Sequence, residues 1–131
     1  MSNIQRTAAL VFGVVFLLIG VLGFIPALIP GGALLGIFML NGLHSVVHLL
    51  FGVLGIAAAF TGTGRLYNRG AGVIYLILGI LGFIPSLVPN GLLLGLVMIN
   101  IADNILHLGI GIVLCYVGFA LQERRAGLQR A

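Results

Sequence analysis

Long stretches without charge constrain this chain more than any other feature. No Asp, Glu, Lys or Arg occurs from Thr7 to Gly64, from Gly70 to Ala102, or from Asn104 to Gln122. A bilayer core about 30 Å thick takes roughly 20 apolar residues per helix, so the first run holds two spans and the other two runs hold two more. With 61% hydrophobic and 6% charged residues over 131 positions, the chain fits no ordinary soluble core. The expected fold is all-α: a polytopic membrane protein with four transmembrane helices.

Those helices come in two copies of one unit. Residues 17–55 align without gaps on residues 76–114 at a constant offset of 59, and 18 of the 39 pairs are identical. The matches include Gly23-Phe24-Ile25-Pro26 with Gly82-Phe83-Ile84-Pro85, Pro30 with Pro89, Asn41 with Asn100, and His48-Leu49 with His107-Leu108. Shared apolar composition scatters matches; it does not hold Pro, Asn and His in register. The expected architecture is therefore two tandem pseudo-symmetric helical hairpins in one domain over 1–131, with internal repeats 7–60 and 66–122.

Proline sets the boundaries, because it lacks an amide donor and disfavours helical geometry in the residue before it. The spacing predicts helices over about 7–25, 33–60, 70–84 and 92–122, with apolar turns at Pro26–Gly32 and Pro85–Gly91. At 1.5 Å per residue the second and fourth would reach roughly 40–45 Å and would tilt or protrude. The first helix resembles a signal peptide in its Arg6 flank, but the third has the same Gly-Phe-Ile-Pro ending deep inside the chain, where no signal can lie.

All six arginines (Arg6, Arg65, Arg69, Arg124, Arg125 and Arg130) fall in the termini or the central loop, and none in the two opposite turns. The positive-inside rule then predicts a multi-pass protein of the cell membrane with both termini cytoplasmic. An even number of spans per copy inserts both copies the same way up, so equivalent residues lie at equal depth. The arginines do not cluster on a basic face, which argues against nucleic acid. The expected partner is the lipid bilayer, with a homo-oligomer or a larger membrane partner as further contacts. The single Cys115 excludes an intrachain disulfide and reads as a packed thiol. Gly13, Gly20 and Gly23 recur as Gly72, Gly79 and Gly82, and Gly32-x-x-x-Gly36 recurs as Gly91-x-x-x-Gly95; both patterns read as close helix packing.

The polar residues are few and ordered. Asn41, His44 and His48 follow i, i+3, i+7 spacing, as do Asn100, Asp103 and His107, so each set makes one stripe on a helix. Polar groups in a span are expensive and should face inward and be paired. His44 aligns with Asp103, offering a donor and an acceptor at one depth, and His48 with His107 form an equal-depth pair. The leading reading is a non-enzymatic membrane component in which the cluster ties helices together. The alternatives are a metal site using His44, His48, Asp103 and His107, a haem held by His48 and His107, and proton or solute passage along the stripe. His-x-x-x-His lacks the glutamate of a zincin motif, with Ser45 in its place.

Asn-x-Leu-His-x-x-Val-His-Leu-x-x-Gly in the first unit and Asn-x-Ala-Asp-Asn-x-Leu-His-Leu in the second resemble the signature of a bacterial membrane family catalogued as domain of unknown function 4383. The resemblance covers nearly the whole chain and implies the same architecture, with Asn41, His44, His48, Asn100, Asp103, Asn104 and His107 as motif residues. The family pattern usually has Asn after the first His, where this chain has Ser45. The resemblance implies no activity.

Overall fold

The computed structural model describes residues 3–122. The expectations placed on Arg124, Arg125 and Arg130 lie outside the described residues. Helix α1 covers Ile4–Leu22, α2 Gly42–Thr61, α3 Gly64–Leu81 and α4 Ile101–Cys115, the last continuing as a π-helical turn over Tyr116–Ala120. Three stretches, Ile4–Leu22, Gly42–Thr61 and Ile101–Ala120, are long and apolar enough to cross a membrane. α3 has 18 residues and carries Arg65, Asn68 and Arg69 in its first two turns. Much of the outward helix surface is apolar, including Val11, Leu18, Leu50, Leu54, Ile77 and Ile112, which suits contact with lipid.

The segments between α1 and α2 and between α3 and α4 correct the sequence expectation. Helices were expected from about 33 and 92; α2 instead starts at Gly42 and α4 at Ile101. Each preceding segment holds two short 3-10 turns (Pro26–Leu28 and Pro30–Gly32; Pro85–Leu87 and Pro89–Gly91) and then a two-stranded ribbon. β1 (Ala33–Leu34) pairs antiparallel with β2 (Phe38–Met39), and β3 (Leu92–Leu93) pairs with β4 (Val97–Met98). Gly36 and Gly95, expected to open helices, sit at φ 75° and 73° in the ribbon turns, where the left-handed region suits glycine. The helices are correspondingly shorter: α2, with 20 residues, is about 30 Å long, so no excess length needs tilt.

α3 also begins earlier than position 70. Gly62, at φ 78°, ends α2 as a left-handed C-cap, and only Gly62 and Thr63 separate α2 from α3. Arg65 and Arg69 therefore lie on a helix and not in a loop.

α1 packs chiefly on α2, and α3 chiefly on α4. The packing is backbone to backbone: a Cβ on Gly52 would stand 2.6 Å from Leu17 N, and one on Gly111 2.6 Å from Leu76 N. Phe16, Ala71, Tyr75, Ile110 and Leu114 form the apolar core between the pairs. Phe16 and Tyr75, also separated by 59, stack with ring centroids 4.8 Å apart. At the basic end Gln5 Nε2 donates to Val117 O (2.7 Å) and Leu121 O (2.9 Å), and Asn68 Nδ2 donates to Gln5 O and Oε1 (3.0 Å each). Arg65 and Arg69 both donate through Nε to Gly118 O. The carbonyls loosened by the π turn thus find donors from α1 and α3.

Candidate metal centre

At the opposite end, the first turns of α2 and α4 are fixed by asparagine caps. Asn41 Oδ1 accepts from His44 N (2.9 Å), and Asn100 Oδ1 accepts from Asp103 N (2.9 Å). Asp103 Oδ2 returns a bond from Asn100 N (3.0 Å), completing a capping box. Asp103 is thus held by its own helix end, and the set of clustered ligand atoms does not include it. The expected meeting of His44 with Asp103 is replaced by contacts to backbone.

The three histidines do come together. His44 lies in the first turn of α2, His48 one turn later, and His107 reaches in from α4; all three are 2–3% exposed. One ligand nitrogen from each lies within 4.8 Å of the others. His44 Nδ1 is 2.8 Å from Met98 O. A carbonyl only accepts, so Nδ1 carries the proton and His44 Nε2 keeps its lone pair. That nitrogen lies 3.1 Å from His48 Nε2. Two imidazole nitrogens at this distance need a proton or a cation between them. His48 Nδ1 and both nitrogens of His107 have no hydrogen-bond partner. Leaving such a group buried and unpaired costs on the order of 1–3 kcal/mol, so hydrogen bonding within the protein does not account for the cluster.

Beside it lies a cavity of about 110 Å³, lined by His44, His107 and Tyr75 with Val47, Leu78, Leu93 and Val97. Pockets for larger ligands run from roughly 300 Å³ upward, so a haem macrocycle does not fit here. A bare ion does. For metal–nitrogen bonds of about 2.0–2.1 Å, tetrahedral geometry puts ligand nitrogens roughly 3.4 Å apart, close to the His44–His48 spacing. The widest separation in the set, 4.8 Å, closes to that value with a shift of about 1.4 Å. The His44–Met98 bond is the kind of contact that fixes the tautomer and aim of a metal-bound imidazole.

The remaining motif residues serve packing. Asn104 Nδ2 donates to Gly82 O (2.9 Å), and Ser45, its counterpart at the 59 offset, sits against Gly23. Tyr75, expected from the sequence with Tyr67 and Tyr116 as a ring anchoring near the cytoplasmic side, is instead buried in the core, and its ring stands edge-on to His107 with centroids 5.2 Å apart. Its signal was the same offset, which sets a hydroxyl in one copy against Phe16 in the other.

The fold and this cluster define a small helical protein with membrane-type helices and a buried group of three imidazoles. The chain belongs to the family described as Domain of unknown function (DUF4383), whose model matches residues 6–120. No curated protein and no solved structure matches it.

Proposed function

We propose that this protein is an integral membrane protein that binds a transition-metal ion through His44, His48 and His107. The observation that carries this reading is the convergence of three buried imidazoles, one nitrogen from each within 4.8 Å of the others, with His48 Nδ1 and both nitrogens of His107 otherwise unpartnered. Imidazole suits zinc, copper, iron and nickel, and neutral histidines bind without first losing a proton to bulk water. In support, the cross-bonds expected of the polar stripe are made by Asn41, Asn100 and His44 Nδ1, while His48 and His107 make none between the two halves and keep nitrogens available for a ligand. The test is elemental analysis of protein purified without chelator, before and after incubation with each of these metals. One bound ion per chain, lost in His48→Ala and His107→Ala, is the expected result; no uptake of any metal by folded protein refutes it.

In the same reading the chain spans the bilayer four times, as two hairpin repeats forming one bundle with both termini in the cytoplasm. Supporting this, Arg6, Arg65 and Arg69 gather where α1 and α3 begin and α2 and α4 end, and the ribbons at the other end carry no charge. Arg6 lies over the Phe60 ring at 5.4 Å and Arg69 over Phe119 at 5.0 Å, which places cations and aromatic rings together as at a membrane interface. Single cysteines placed at Arg65 and Gly31 in a Cys115→Ser background test it; labelling of Arg65→Cys from outside the cell overturns the orientation.

A further inference from the structure

We infer that the ion this centre selects is monovalent copper, held by three nitrogens. This rests on the metal-binding reading above and concerns which metal, on two grounds that are independent of each other.

The first ground is charge. The clustered ligand set contains imidazoles alone, and neutral imidazoles cancel none of an ion's charge. Asp103, the one carboxylate among the described residues, accepts from Asn100 N in the capping box of α4. His44 also sits in the first turn of α2, where the helix end carries a partial positive charge that disfavours cations. The work of moving an ion into a low-dielectric setting grows with the square of its charge, so a dication costs about four times as much as a monocation of the same size. With no carboxylate in the set to offset that cost, the site favours a single charge.

The second ground is coordination number. Zinc in proteins is almost always four-coordinate, either with four protein ligands or with three and a water. Here the adjoining space is walled by Val47, Leu78, Leu93 and Val97, and beyond the histidines its one polar neighbour is the otherwise unpartnered Tyr75 hydroxyl; buried waters usually make about three hydrogen bonds, so a metal-bound water is poorly held. Copper(II) prefers a four-ligand tetragonal set, which the cluster also lacks. Copper(I) has a filled d shell, carries one charge and is satisfied by three ligands.

The experiment uses full-length protein in lipid nanodiscs with ascorbate present, titrated with Cu(I) against a competing chelator, with Ag(I) as a second monovalent d10 ion, and with Zn(II). The expected result is 1:1 binding of Cu(I) and Ag(I), with Zn(II) at least 100-fold weaker, and an X-ray absorption spectrum of the copper form showing about three nitrogen neighbours and no sulfur. Zn(II) binding as tightly as Cu(I), or a fourth strong ligand in the spectrum, overturns the inference while leaving the metal-binding reading intact; no uptake of any ion sinks both. Val47→Asp adds a carboxylate at the cavity wall that His44 and His107 also line. In a folded variant it should shift the preference at least tenfold toward Zn(II), and an unchanged ratio would count against the charge argument. The wild-type ratio decides the matter even where that variant fails to fold.

Discussion

Asn41 and Asn100 bind each other's half of the chain in the same way. Each caps its own helix through the side-chain oxygen, and each sends its amide nitrogen across to the opposite ribbon: Asn41 Nδ2 to Leu96 O (2.9 Å) and Asn100 Nδ2 to Ile37 O (2.8 Å). Both donors and both acceptors are 59 residues apart, so the exchange is reciprocal. One side chain does local and long-range work at once, and an aspartate could do only the local part.

Substitution can separate the two roles. Asn41→Asp keeps an oxygen for His44 N but loses the donor to Leu96 O; Asn41→Ala loses both. A lost cap costs about 0.5–2 kcal/mol, so Asn41→Ala should melt below Asn41→Asp, and Asn41→Asp below the parent. Thermal unfolding in detergent checks the order. Equal melting of Asn41→Asp and the parent would remove the cross-bond from the account.

Asp103→Ala should destabilise the protein by about 1 kcal/mol through loss of the capping box. It should leave metal stoichiometry at the parent value, since its carboxylate bonds to Asn100 N. Elemental analysis of the folded variant is the measurement. Loss of the ion with unchanged melting would make Asp103 a ligand.

His107 separates stability from binding. Neither of its nitrogens has a hydrogen-bond partner. His107→Leu should therefore leave the melting temperature of the metal-free protein level or higher, because it removes an unpaired buried polar group. Metal affinity should fall at least 100-fold. A clear loss of metal-free stability would restore the helix-tying reading of this residue.

Gly52→Ala and Gly111→Ala drive a methyl into the backbones of Leu17 and Leu76, and overpacking of this kind costs about 1–3 kcal/mol. Gly109 meets nothing within 4 Å, so Gly109→Ala should be neutral or stabilising by up to about 1 kcal/mol through helix propensity. Melting curves of the three variants test the contrast. Equal effects would mean that α1–α2 and α3–α4 are not in backbone contact.

The charge-free runs and the prolines made the helices legible, and the 59-residue offset brought out their polar stripe. The ribbons were not legible. Gly32 to Met39 reads as a helix opening because nothing in it is polar, and Leu35 and Leu94 adopt positive φ (53° and 54°) against the preference of their side chains. α3 was placed too late for the opposite reason: its first turns hold Arg65, Asn68 and Arg69, and a search for apolar residues starts after them. The capping role of Asp103 was readable from Asn100-x-x-Asp103 ahead of an apolar run, but spacing alone also fits a ligand on a helix face. The three histidines were found by residue type. Which of their nitrogens are free depends on Met98 O, a backbone atom 54 residues from His44 and invisible to any local pattern.

That last contact fixes an order of events during synthesis. His44 leaves the ribosome long before Met98 and His107, so in the first half of the chain its imidazole is unaimed and the third imidazole is not yet made. The first half alone has two histidines and no partner for the Asn41 amide. The three-imidazole cluster is therefore a property of the finished molecule, and a truncated or stalled chain does not assemble it.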